Sequence, residues 1–165
     1  MAVTSYAIAL GSNRCSRHGS PAETVRAAAA AIGVARLSAI RATPALGPAG
    51  RGFANAAAIV EAEAEPPELL ARLKDTERAF GRRGGRRWGP RVLDLDIILW
   101  SGGCWEGGGL VVPHPAFRAR RFVLEPLAEL VPLWRDPISG ATVRQLLAGL
   151  SRRRAMDAAG GPTGR

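Results

Sequence analysis

Apolar positions fall into short runs punctuated by glycine and proline, and their spacing switches between strand-like and helix-like periods. Ser5 to Leu10 is an apolar run halted at Gly11, the pattern of a buried strand. Ser20-Pro21-Ala22-Glu23 reads as a capping box with proline at the first helical position, and the alanine-rich run behind it reaches Ile32 before Gly33 stops it. Val34 to Thr43 is predicted as a second strand broken by Pro44, and Phe53 to Glu63 as a third, with a Gly/Pro-rich loop from Leu46 to Gly52 between them. Pro66-Pro67-Glu68 opens a second helix running to Phe80 and stopped by Gly81. Leu70, Leu73 and Phe80 share one face of it, and Glu77 lies on the same face. Val92 to Trp100 is the clearest strand. Beyond a glycine-rich stretch the pattern predicts a helical region from about Arg118 to Leu130, interrupted by Pro126, and a last short helix from Thr142 to Leu150. The tail from Ser151 is basic and Gly-rich, and is predicted to be disordered.

The order βαββαβ is the split arrangement of ferredoxin-like α+β sheets. A length of 165 residues with 47% hydrophobic composition suits one packed domain and argues against general disorder. No apolar run is long enough to span a bilayer, and the N-terminus lacks the basic-then-apolar pattern of a secretory signal. Two cysteines, Cys15 and Cys104, with no Cys or His spacing for zinc, fit a reducing cytoplasm. The formal charge of +9 is carried almost entirely by arginine, since Lys74 is the one lysine. Guanidinium groups suit bidentate phosphate contacts, and excess positive charge predicts anionic partners; a bias toward arginine codons accounts for the same composition.

Leu93-Asp94-Leu95-Asp96-Ile97 alternates strictly, which sets the leucines and isoleucine on one face of a strand and both aspartates on the other. At about 3.3 Å per residue the two acids stand roughly 6–7 Å apart along the backbone, close enough to converge on magnesium. Aspartate is disfavoured in strands, so two within an apolar one need a reason; a solvated sheet face is the other reading. Directly before them, Gly81 to Arg91 holds five arginines and four glycines in eleven residues. A polyphosphate bridged by magnesium needs that juxtaposition of guanidinium and carboxylate, although a solvated basic loop has the same composition. Glu77 fits a salt bridge to one of these arginines. His114, between Pro113 and Pro115, fits either a phosphate donor or a plain loop histidine. Turn chemistry accounts for Gly11-Ser12-Asn13, which lacks the pattern of a phosphate loop.

Five segments resemble the 6-hydroxymethyl-7,8-dihydropterin pyrophosphokinases: IALGSN (Ile8 to Asn13), TPALGP (Thr43 to Pro48), FANAA (Phe53 to Ala57), RWGPRVLDLDIIL (Arg87 to Leu99) and VPHPAFRARRFVLEPLAEL (Val112 to Leu130). They stand in the family's order and cover roughly residues 5–150. The resemblance implies a ferredoxin-like α/β/α layered domain over 1–150, a monomer that binds ATP with two Mg2+ ions and then the pterin. Asp94 and Asp96 would bind both metals, with Arg82 and Arg91 beside them in catalysis. Phe53 and Phe122 would sandwich the pterin, Asn55 would read its amide edge, and Thr43, Pro44, Leu46 and Trp88 would complete that side. Arg82, Arg91, His114 and Arg120 would meet the phosphates of ATP, with Leu70, Glu77 and Ile97 lining the nucleotide side. The reaction implied is attack of the pterin hydroxymethyl oxygen on the β-phosphorus of ATP, releasing AMP, in folate biosynthesis. The chain departs from the family pattern at Gly84, where a second loop arginine is usual and Arg83 or Arg86 stands close by, and at Gly109-Leu110-Val111, where polar residues are common.

Two rival readings fit less well. An RNA-binding module of the same element order needs aromatic rings on its central strands, and the first strand offers only Tyr6 while the fourth carries aspartates. A polymerase-type nucleotidyltransferase places a Gly-Ser some ten residues before its acids, whereas Gly11-Ser12 lies about eighty residues upstream of Asp94. Neither nucleic acid nor membrane is therefore expected as a partner.

Overall fold

In the computed structural model, residues 2–43, 52–81 and 92–160 are described. Strand β1 (Thr4–Ser12) leads into helix α1 (Pro21–Ile32), then the short strands β2 (Arg36–Leu37) and β3 (Arg41–Thr43), and the long strand β4 (Phe53–Ala62). Helix α2 (Pro66–Gly81) precedes β5 (Asp94–Trp100), followed by a small hairpin of β6 (Trp105–Gly107) and β7 (Leu110–Val112). A 3-10 turn (Phe117–Ala119), α3 (Arg121–Leu130) and α4 (Val143–Ala159) complete the described chain.

The main sheet runs β2-β4-β1-β5, with β3 also on β4, and all its pairings are antiparallel. Its two faces feed separate cores. Tyr6, Ile8, Leu10, Leu95 and Ile97 meet Val25 and Ala28 of α1 and Leu69 and Leu73 of α2. Ala7, Ala57, Ile59, Ile98 and Leu99 meet Leu124 and Leu127 of α3 and Val143 of α4. Helices thus cover both faces of the sheet. The Ser20–Glu23 capping box forms as the sequence predicts, and Gly33 closes α1 at φ 76°, a left-handed conformation that favours glycine.

Four elements differ from the sequence reading. The strand expected over Val34 to Thr43 is two short strands. At Ser38 the hydroxyl accepts from the Ala57 amide at 2.9 Å in place of a backbone carbonyl, and pairing with β4 slips by one residue between Leu37↔Ala58 and Arg41↔Asn55. Strand β5 begins at Asp94 rather than Val92, and a bulge opposite Ala7 and Ile8 puts both Ile98 and Leu99 on the α3 side. Pro126 lies inside α3 instead of interrupting it, and the turn at Phe117–Ala119 is a separate element. Helix α4 continues through Ala159, where a disordered tail is expected; its capping box at Thr142 starts it, and every residue from Ser151 to Gly160 is exposed.

Candidate active site

Three neighbouring strands build the floor of a cleft on the α3 side of the sheet. Asn55 of β4, Gly11 of β1 and Asp94 of β5 lie in one row across the ladder, and Ala57, Ala9 and Asp96 in the next. The alternation in Asp94-Leu95-Asp96 therefore does what the sequence predicts: Leu95 is fully buried between the helices and sheet while both acids face the cleft. Small residues beside the acids keep the floor open. A Cβ at Gly11 would come within 3.2 Å of the Asn55 amide oxygen, so glycine lets Asn55 lie across β1.

Two adjoining cavities share Gly11, Asn55, Asp94 and Phe122. The larger, about 430 Å³, adds Ser12, Asn13 and Phe53. The smaller, about 190 Å³, takes in Asp94, Asp96, His114 and Arg120 among its walls. Phe53 and Phe122 are each about half exposed, at 50% and 52%, although both rings are large and apolar. Exposed aromatics lining a cavity are what a flat ring ligand would cover. The Arg120 guanidinium sits 5.9 Å from the centre of the Phe122 ring.

His114 takes a defined form. Its Nδ1 accepts from the Ala116 amide at 3.1 Å, so the neutral ring carries its hydrogen on Nε2 as a donor. Burial chiefly holds its pKa below the usual imidazole value, Arg120 pushes the same way, and Asp96 opposes both.

Seven predicted residues thus meet at the cleft: Phe53, Asn55, Asp94, Asp96, His114, Arg120 and Phe122. Three stand outside both cavities. Ile97 is buried in the opposite core, Leu70 packs against that same core, and Glu77 accepts from the Leu95 amide at 2.8 Å and pairs with Lys74 at 3.2 Å. Lys74 thus takes the place among the described residues that the sequence reading gives to a loop arginine, and the arginines from Arg82 to Arg91 lie outside those residues. Thr43 ends β3 opposite Phe53. Pro44, Leu46, Arg82, Trp88 and Arg91 lie outside the described residues, as do Arg83, Gly84 and Arg86. Turn chemistry accounts for Ser12 and Asn13 in the sequence, yet both line the larger cavity, and among the described residues the buried Asn13 Oδ1 has no hydrogen-bond partner. Their position directly after a buried strand was the available signal.

Among the described residues no three His, Cys, Asp or Glu side chains gather as a metal cage. The pair Asp94 and Asp96 still fits magnesium, which takes hard oxygen ligands and is commonly held by one or two carboxylates completed by substrate phosphates.

Fold and cleft together define a single mixed α/β domain whose antiparallel sheet carries an aromatic pocket beside an acidic pair. Comparison with known proteins narrows the class. The chain belongs to the 7,8-dihydro-6-hydroxymethylpterin-pyrophosphokinase (HPPK) family, whose sequence model matches residues 7–132. A relative from Synechocystis sp., named 2-amino-4-hydroxy-6-hydroxymethyldihydropteridine pyrophosphokinase, is 42% identical over 118 residues, covering 72% of this chain and 60% of the relative. One of the same name from Haemophilus influenzae is 38% identical over 136 residues, covering 78% and 81%. The match spans less than two thirds of the Synechocystis relative and of another from Methylorubrum extorquens, where it covers 61%. Among solved structures, a Plasmodium falciparum HPPK-DHPS triple mutant superposes over 95% of this chain and 46% of its own, with a TM-score of 0.74 at 11% identity, a likeness of fold alone.

Proposed function

We propose that this chain is an ATP- and magnesium-dependent diphosphokinase that transfers diphosphate from ATP to the hydroxymethyl group of 6-hydroxymethyl-7,8-dihydropterin, releasing AMP, in folate biosynthesis. The observation that carries the reading is the meeting of Asp94, Asp96, His114 and Arg120 at one end of a cleft whose other end is walled by Phe53, Phe122 and Asn55. The names borne by the family's relatives support it.

In this reading the pterin ring lies between Phe53 and Phe122, and Asn55 hydrogen-bonds its amide edge, with Thr43, Pro44, Leu46 and Trp88 closing that side. Arg120 and the Nε2 hydrogen of His114 meet phosphate oxygens, joined by Arg82 and Arg91, while Leu70, Glu77 and Ile97 mark the α2–β5 side toward the nucleotide. Asp94 and Asp96 would hold two magnesium ions, which supply charge neutralisation on the polyphosphate. The hydroxymethyl oxygen forms a bond to the β-phosphorus, the bond from that phosphorus to the α-phosphate oxygen breaks, and its electrons leave with AMP. The hydroxyl proton passes to Asp94 or to water. The protein's contribution is to align the two substrates in a site already shaped for them.

The strand order β2-β4-β1-β5 with helices on both faces supports a ferredoxin-like, α/β/α reading of the domain over residues 1–150. A monomer working in the cytoplasm completes the proposal; among the described residues no helix is long and apolar enough to cross a membrane.

Incubation with ATP, Mg2+ and the hydroxymethyl pterin should release AMP in proportion to diphosphorylated pterin. The Asp96→Asn enzyme should lose roughly two orders of magnitude or more in kcat, because a lost metal ligand removes charge stabilisation worth several kcal/mol. Release of pyrophosphate instead of AMP, or an Asp96→Asn enzyme with normal turnover, would overturn the assignment.

A further inference from the structure

His114, Arg120 and Phe122 reach the cleft on one largely irregular stretch of chain. Its start is tied down by the His114 amide donating to the Ile98 carbonyl at 3.0 Å. Its far end enters α3 without any side-chain cap, since Arg120 occupies the N-cap position in an extended conformation. Between those points, two residues anchor it to the body. Phe117 is fully buried, and Arg118, whose guanidinium lies 4.9 Å from the centre of the Phe117 ring, forks onto Asp136.

Asp136 is itself held on every side. Its oxygens accept from Arg118 Nε at 2.5 Å and from a terminal nitrogen of the same guanidinium at 2.8 Å, from the Ile138 amide at 3.0 Å and from the Ser139 hydroxyl at 2.7 Å. Its backbone N–H donates to Ala141, and its carbonyl accepts from Gly140. The side chain is 0% exposed. A buried carboxylate with four donors has no acceptor left for a substrate, so any effect on the reaction passes through Arg118. Arg118 is two residues from Arg120 and four from both His114 and Phe122.

We propose that the Arg118–Asp136 pair is a buried clamp that sets the segment 114–122 against the cleft, which makes Asp136 a positioning residue for phosphate binding. The functional half of this inference rests on the reaction proposed above; the structural half does not. A bidentate pair fixes direction as well as distance, and a single released anchor lets Arg120 and His114 drift by the ångström that costs alignment.

The test compares Asp136→Asn with Arg118→Lys, which keeps the charge but loses the fork, and with Glu125→Gln, which breaks the neighbouring Arg121–Glu125 pair. Hydrogen exchange should show protection of the amides over 117–124 reduced about tenfold in Asp136→Asn, with the α1 amides unchanged. The same protein, kept well below its melting temperature, should show KM for ATP raised about tenfold with a smaller change in kcat. Arg118→Lys should lie between it and the wild type, and Glu125→Gln should match the wild type in both measurements. If Asp136→Asn does not fold, Arg118→Lys decides by the same two measurements. Unchanged exchange over 117–124 overturns the clamp, and loosened exchange with unchanged KM overturns its positioning role. Should the wild-type chain release no AMP, the proposed reaction fails while the exchange measurement, which needs no substrate, still decides the clamp.

Discussion

Asp136 is the only buried charged residue among those described, and its energetics depend on pH in a direction that can be worked out. The hydrogen bonds from Arg118 hold its carboxyl well below the ordinary carboxylate range against the opposing effect of burial, with Ser139 and the Ile138 amide adding to the shift. A folded-state pKa below the unfolded value means the stabilisation is fully present above an unfolded pKa of about 3.9 and is lost as pH falls from there toward the folded value. Denaturant unfolding at pH 7 should therefore find Asp136→Asn less stable than the wild type by about 3 kcal/mol, the low end for a broken buried pair because Arg118 keeps some exposure. That gap should narrow by about 1 kcal/mol by pH 3. A gap that stays constant down to pH 3 would mean the carboxylate charge is not the source. Residues differ in how much of this the sequence reveals. Asp94 and Asp96 are legible because strand alternation is a local rule that needs no knowledge of the rest of the fold. Asp136 is not, since its partner is eighteen residues earlier and the two meet only once the loop after α3 has folded. Ile97 stands outside both cavities by the same rule: the alternation that aims the aspartates at the cleft turns it into the opposite core.

Elements with strong local signals form where the sequence puts them. Helix α1 has both its stops written into it, a capping box at Ser20–Glu23 and a left-handed Gly33, and the structure reproduces Pro21 to Ile32. The region from Val34 to Thr43 misleads because the kink at Ser38 depends on a hydroxyl bonding to β4, a partner nineteen residues away that no local pattern encodes. The bulge in β5 is likewise set by pairing with β1. Helix α1 packs on the face of the sheet opposite the cleft, so its cap separates stability from catalysis. Ser20→Ala removes the acceptor for the Glu23 amide and should cost about 1 kcal/mol, seen as a melting temperature lower by roughly 2–4 °C. Both KM values should stay at the wild-type level. A raised KM for ATP in Ser20→Ala would reveal coupling through the sheet that the two separate cores do not suggest.

At the scale of the whole molecule, stability and charge are carried by different parts of the chain. Each face of the sheet has its own apolar cluster, and the last residues contributing to either are Leu146, Leu147 and Leu150. From Ser151 onward every described residue of α4 is exposed, and among the described residues the hydroxyl of Ser151, which accepts from Arg121 at 2.8 Å, ties it to the body. Regular helix there is consequently no evidence of packing; it is the continuation of a helix nucleated at the Thr142 capping box. Removing residues 152–165 deletes four arginines and one aspartate, so the formal charge falls from +9 to +6 without touching either core. Unfolding free energy should change by less than about 0.5 kcal/mol, as for surface substitutions. Arg152, Arg153, Arg154 and Asp157 are exposed and act on the cleft through solvent, where screening acts over about 8 Å at physiological ionic strength. KM for ATP should therefore stay within about twofold of the full-length value at that salt and rise only when salt is lowered, as expected of a long-range steering effect. Thermal melts and ATP titrations at two ionic strengths check both halves. A truncated chain that melts markedly earlier would place part of the core's support beyond Ser151, and a KM that rises equally at both salts would point to direct contact between those arginines and the nucleotide.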